Sequence, residues 1–451
     1  MGNVGQRGPD TAAASVRPKY DSATRVDIAL LVSALFLQRF NLPFFGGKSV
    51  SLCIVPIAAI LVHQFASGRL LIQYDRLLWY ILLALAATSS LLLNFNNSSL
   101  SSYSLFLVMY FLFTLRHPST TDQYKETLKG FQVLMLILSC LAILQFPAQF
   151  IVNPEALLMF FGIFPDFLLP YHAGVNTMGI IGPAGLVKSN GIFLTEASTM
   201  SQIVAIALLI EVLEFRRPRY LVVLTLGLLL AYSGTGISIL LISFPVAFLV
   251  NRRAQLPVLM VSIFAIGLLA TGIIDPSTFT GRLGEFQDTN ASGFIRFVSP
   301  FWLAADYFHT GSLWEFLFGN GLGGIGFVPL GFYTKGGDTW FNLVYEYGLL
   351  AAFIFTCFVG FCFRRSWCPT PVIAGLAYNY LFTGNTLLDP AYLTIVVVLC
   401  TLNGPTAPRG QMDEAGRARL PVMAGAASNI PTKSKLANKA RIGKAISALY
   451  L

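Results

Sequence analysis

Charge is scarce in this chain: Asp, Glu, Lys and Arg make up 11% of its residues, against 55% hydrophobic ones and a mean hydropathy of +0.68. A water-soluble protein of 451 residues could not cover its surface with so little polarity, so an assembly of soluble domains is excluded despite the length. Signature motifs are missing as well. There is no Walker loop, which argues against direct use of ATP, and no Asp-x-Asp, which argues against a metal-held nucleotide sugar. Neither Gly-x-Ser-x-Gly nor His-Glu-x-x-His occurs, so two familiar hydrolase chemistries have no signature. Cys53, Cys140, Cys357, Cys362, Cys368 and Cys400 all fall in or beside apolar segments. They form no disulfide framework and no zinc spacing, and read as small apolar residues. No metal and no cofactor is expected.

What the sequence has in abundance is continuous apolar runs long enough to cross about 30 Å of hydrocarbon. Twelve candidate spans follow: 27–44, 49–66, 77–94, 102–116, 130–150, 199–215, 220–233, 236–251, 256–274, 340–363, 370–386 and 390–403. The runs do not alternate, which excludes a transmembrane β-barrel. The expectation is an all-α integral membrane protein with 10–12 transmembrane helices. Residues 1–25 form an N-terminal tail, 26–403 the membrane domain and 404–451 a basic C-terminal tail. The segment Lys433–Leu451 reads either as a basic amphipathic helix on an anionic leaflet or as a solvated tail.

Basic residues orient the chain, because short loops rich in Lys and Arg stay in the cytoplasm. With the N-terminal tail inside, the connectors holding Arg69 and Arg76, Arg116 to Lys129, Arg216 to Arg219, Arg252 and Arg253, and Arg364 and Arg365 all fall inside. Both termini are then cytoplasmic in a bacterial inner membrane. Only Lys48, Lys188, Arg282, Arg296 and Lys335 of the thirty basic residues lie clearly outside. Arg39, near the outer end of the first span, either snorkels to the interface or touches substrate.

Two outer segments, 153–198 and 275–339, are far longer than a connector needs. A cation held there against the positive-inside bias is a candidate anion ligand. The first segment runs through Lys188, Asn190 and Glu196 straight into a span; Glu196 is either a functional carboxylate or an ordinary helix cap. The second carries Arg282, Arg296 and His309, which could hold phosphate oxygens and supply a proton-transfer group, or anchor headgroups and loop carboxylates. Gly319, Gly321 and Gly324 satisfy Gly-x-Gly-x-x-Gly, but no strand precedes them, so they read as turn residues returning the chain to the membrane.

The string Lys188–Gln202 resembles the Arg-x-Asn-Gly-x-Phe-x-x-Glu-Pro-Ser pattern, often followed by Ser-Gln, of Wzy-like repeat-unit polymerases in the O-antigen ligase/polymerase superfamily. Asn190, Gly191, Phe193, Glu196, Ser198, Ser201 and Gln202 match; Lys188 replaces Arg and Ala197 replaces Pro. Ser292–Trp302, around Arg296, and Glu346-Tyr347-Gly348-Leu349, like a Glu-x-Gly-Leu helix, are similar to further parts of that superfamily. Relatives, ligases above all, carry a His-Asn pair eight or nine residues before that Glu; Gly337-Asp338 stands here, so that role is lost or passes to His309 or Asp338.

The resemblance implies a GT-C-like membrane glycosyltransferase, inverting and metal-independent. It would join polyprenyl-diphosphate-linked oligosaccharide repeats at the periplasmic face. Arg296, Arg282 and Lys188 would steady the leaving diphosphate, and Glu196, or failing it His309, would take the acceptor proton. Asn190, Asp338 and Glu346 would contact substrate. Membrane lipids, a chain-length regulator and a flippase are the expected partners, with no nucleic acid. Two alternatives remain: a ligase moving glycan to another acceptor, and a transporter of lipid-linked oligosaccharide or polysaccharide.

Overall fold

The computed structural model describes residues 22–43, 49–158, 160–169, 180–181, 186–271, 284, 286–289, 291–323, 338–384 and 386–404. Arg282 and the segment 433–451 lie outside the described residues. Each of the twelve apolar segments read from the sequence contains a helix. Five of these are long and apolar enough to cross a membrane: Tyr74–Leu93, Thr121–Ala148, Ala197–Phe215, Arg252–Ala270 and Thr339–Arg364. The other seven run from Ser22–Phe36 to Pro390–Thr401 and are shorter. At 1.5 Å per residue, the 13 residues of Pro218–Leu230 reach only about 20 Å. The fold is thus all-helical as expected, while full crossing length belongs to five helices.

Local sequence sets the ends. The 28-residue helix Thr121–Ala148 opens with a capping box in which Thr120 and Gln123 satisfy each other's backbone amides. Ser312 and Glu315 do the same for Leu313–Phe318. Asp389 Oδ1 accepts from the amides of Ala391 and Tyr392, with Pro390 in the first turn where its missing N–H costs nothing. The first apolar segment stops being helical at Phe36. Beyond it, Asn41–Pro43 pairs antiparallel with Ser49–Ser51, one of three short strand pairs among the described residues.

Ala197–Phe215 is the central helix, with 78% of its most apolar window buried. Its neighbours approach closely through glycine: a Cβ on Gly236 would lie 2.4 Å from the Ser201 carbonyl oxygen. By contrast, only 22% of the corresponding window of Arg252–Ala270 is buried, and Leu256, Leu259, Ile263 and Ile266 are exposed in a row that suits lipid rather than water. Several polar groups inside the bundle are matched across helices, which hydrocarbon favours. Gln132 Nε2 donates to the Ala207 carbonyl at 2.9 Å, and the fully buried Glu211 carboxylate takes a two-pronged ion pair from Arg217 at 2.6 and 3.0 Å.

The helices also sort the chain by end. Ala197–Phe215 runs from Glu196 to the Arg216-Arg217 connector, and Gly234–Val250 runs from the Ser201 hydroxyl, which accepts from the Gly236 amide, to Arg252 and Arg253. Thr339–Arg364 runs from Asp338 to Arg364, and Arg365 there pairs with Asp75 at the start of Tyr74–Leu93. The basic connectors therefore gather at the end opposite Glu196 and Asp338.

Candidate functional site

The segment leading to Glu196 is built by hydrogen bonds into a neighbouring helix. Gln149 Oε1 accepts from the Val187 amide at 2.7 Å. One turn earlier, Gln145 Oε1 accepts from the amides of Asn190 and Gly191 at 3.1 and 3.0 Å, while its Nε2 donates to Asn190 Oδ1. Asn190 Nδ2 in turn donates to the Leu194 carbonyl at 2.8 Å. The chain doubles back at Gly191 and Ile192, both with φ of +69°, a conformation that suits glycine and strains isoleucine. Arg39 holds this strained turn: its Nη1 donates to the Ile192 carbonyl at 2.8 Å, and it is 3% exposed. Neither sequence reading of Arg39, snorkelling or substrate contact, describes a buried clamp on the loop.

That turn delivers Glu196 to the N-terminus of Ala197–Ile210. Its backbone occupies the cap position, yet its side chain makes no cap hydrogen bond. Instead Oε2 accepts from Ser198 Oγ at 2.5 Å and from Arg296 Nη2 at 3.2 Å. Arg296 sits in the last turn of Ser292–Phe297, and its Nη2 also lies 3.5 Å from Ser198 Oγ. The ion pair is partly open, with the two side chains 27% and 22% exposed.

Asp338 completes the group. It stands at the cap position of Thr339–Asn342, is 2% exposed, makes no cap bond, and leaves Oδ1 without a hydrogen-bond partner among the described residues. Burial pushes its carboxyl from the ordinary 3.8 up to about 8, opposed by the positive charge of Arg296 nearby. One guanidinium thus ion-pairs with one carboxylate and sits in the field of a second, at the junction of three chain segments.

The other expected residues are placed differently. His309 is exposed in the last turn of Ser299–Thr310, about 15 Å along that helix from its Arg296 end. Glu346 lies eight residues past Asp338, buried about 12 Å deeper along the helix, where its carbonyl accepts from Ser90 Oγ at 3.0 Å. Lys188 is half-buried at the start of the motif loop. Asn190 is fully buried and its amide group is engaged within the loop, so it positions Glu196 through the backbone. Gln145, Gln149 and Ser198 were not read as site residues. A glutamine in an apolar helix signals only that some partner must exist. Trp340 is a further addition, since its buried indole Nε1 has no partner among the described residues and its ring lies 5.3 Å from that of the exposed Phe301.

Gly319 and Gly321 adopt φ of +78° and +107°, in keeping with their reading as turn residues, while Gly324 lies outside the described residues. Gly319 faces Gly348 of the Glu-x-Gly-Leu string, also at positive φ. A Cβ on Gly319 would stand 2.4 Å from the Glu346 carbonyl oxygen, and one on Gly348 would stand 2.4 Å from that of Leu317. That string therefore includes a backbone seam.

An all-helical bundle with lipid-suited faces and a cation–carboxylate cluster at one end defines a membrane protein equipped for polar chemistry near the membrane surface. The sequence resolves which kind: residues 26–401 match the family model described as WcaD colanic acid polymerase, and the chain belongs to that family. It is a Wzy-like polysaccharide repeat-unit polymerase, a glycosyltransferase-type membrane enzyme whose family implies a lipid-linked oligosaccharide substrate. No curated protein and no solved structure matches it.

Proposed function

We propose that the chain lengthens a surface polysaccharide of the colanic acid type by joining polyprenyl-diphosphate-linked repeats at the periplasmic face of the inner membrane. In this reading about twelve helices cross the membrane in a GT-C-like arrangement, with both termini in the cytoplasm. The observation that carries it is the Glu196–Arg296 ion pair, which joins the two long outer segments across 100 residues of sequence.

In the reaction an acceptor hydroxyl attacks the anomeric carbon of the growing chain, the bond to the lipid diphosphate breaks, and inversion follows from the single displacement. Negative charge develops on the departing diphosphate, and Arg296, with Lys188 and Arg282, neutralises it. In the ion pair, Glu196 Oε2 is occupied by Arg296 and Ser198. When diphosphate draws the Arg296 fork away, Glu196 is released to accept the acceptor proton. Asp338, protonated at neutral pH by its burial, donates a hydrogen bond to substrate or leaving group and keeps Arg296 from being doubly neutralised. Geometry favours Glu196 over His309 as the base.

The test is the polymer itself. Glu196→Gln and Arg296→Ala are expected to accumulate in the membrane normally, yet to leave single repeat units and abolish long chains. Near-wild-type chain lengths from either variant remove that residue from the mechanism. Purified protein that moves lipid-linked oligosaccharide across a proteoliposome without lengthening it overturns the enzyme reading.

A further inference from the structure

At the end of the bundle opposite Glu196 lies an open cleft of about 550 Å³, lined among others by Leu71, Tyr74, Asp75, Arg116 and His117. It forms where Leu71–Ile72 pairs antiparallel with Leu115–Arg116 and where the His117 amide donates to the Leu402 carbonyl at 2.9 Å. Two arginines at this place are buried with no ion pair to a carboxylate among the described residues. Arg116 is 4% exposed, and its Nε and Nη2 have no hydrogen-bond partner among the described residues. Arg76 is fully buried behind it; Nη1 donates to the carbonyls of Phe113 and Thr401 at 3.2 and 2.8 Å, while Nε and Nη2 have no partner among the described residues.

Both nearby carboxylates are engaged elsewhere. Asp75 is taken by Arg365, and Asp27 Oδ2 accepts from Thr127 and Asn403 at 2.8 and 2.7 Å, with His117 Nε2 3.9 Å from its other oxygen. A buried guanidinium with unmet donors has lost hydration that a bound anion restores. Around the cleft Tyr74 and Leu71 are 84% and 52% exposed, an amphipathic rim.

We propose that this cleft is an anion site for a phosphate-bearing group, separate from the Glu196–Arg296 site, with Arg116 as its principal ligand and Arg76 as the charge beneath. Two phosphate oxygens match the planar fork of a guanidinium. The group comes from one of two sources with this chemistry: the headgroup of an anionic phospholipid, which the rim suits, or a free phosphate or diphosphate.

The full-length protein in nanodiscs separates these. Wild type, Arg116→Gln and Arg116→Lys are melted in phosphatidylcholine discs with increasing inorganic diphosphate, and in discs with increasing phosphatidylglycerol. The wild-type midpoint is expected to rise saturably with one probe. A response to phosphatidylglycerol alone identifies a lipid headgroup, and a response to diphosphate in neutral discs identifies a free anion. Arg116→Gln should need about tenfold more probe, the loss of a charge-assisted hydrogen bond, and Arg116→Lys less than that because charge remains without the fork. No response from wild type, or an unchanged half-saturation in Arg116→Gln, overturns the site. Should Arg116→Gln fail to fold, an unchanged half-saturation in Arg116→Lys overturns it.

Discussion

The ionic arrangement at Arg296 gives each of its carboxylates a distinct experimental signature. Asp338 has its carboxyl raised by burial from 3.8 to about 8, so the folded protein holds a proton that the unfolded chain has lost. Its contribution to stability is complete below pH 4 and is lost as pH rises through about 8. Asp338→Asn should flatten that decline between pH 4 and 8 in thermal melts, and should remove a limb near pH 8 from the rate profile of polymerisation. Glu196→Gln should cost roughly 100-fold or more in rate at every pH, as expected for a lost general base. His309→Ala, at an exposed position far along its helix, should leave chain length near wild type; loss of long chains in that variant would restore the histidine as a candidate base. The sequence marked Glu196 and Arg296 individually, because each is an ionic residue in a long segment between the apolar runs. It could not mark their pairing, nor the clamp of Arg39 on Ile192 across 153 residues, because such contacts leave no local spacing.

At the level of elements, the last helix begins where its apolar run and a cap coincide, at Asp389, whereas the helix in the run read as 130–150 begins nine residues earlier, behind Thr120. Helix ends were no more legible. A run such as 27–44 stays apolar after its helix has ended at Phe36, since lipid and protein interior favour the same residues. The motif loop owes its shape to Gln145, whose three hydrogen bonds replace a missing regular structure. Gln145→Leu would strand the buried amides of Asn190 and Gly191 and should cost about 2–4 kcal/mol, read as a lower melting midpoint together with shorter polymer. The Gly319–Gly348 seam permits no side chain on either partner. Gly348→Ala forces a positive φ on alanine and a clash with the Leu317 carbonyl, and should destabilise by more than about 1 kcal/mol.

For the whole molecule, the proposed orientation makes a labelling prediction. With Cys140 and Cys357 replaced by alanine, Gln287→Cys should react with a membrane-impermeant maleimide added to spheroplasts, while Arg253→Cys should react only after the membrane is opened. The reverse pattern inverts the topology. That basic connectors collect at one end of the structure agrees with the alternation read from charge along the chain. What composition could not anticipate is how few helices reach full crossing length, because short helices buried inside a bundle need not span hydrocarbon alone.

Glu196, Arg296 and Asp338 come from three stretches of chain, with 100 residues separating the first two. A membrane protein leaves the ribosome in order, at roughly 5–20 residues per second, so Glu196 waits roughly 5–20 s before Arg296 has been made. During that interval an unfinished chain holds only half of the ion pair. On the proposed mechanism, copies terminated before residue 338 are inert, and competence for polymerisation arrives only once all three segments have been made.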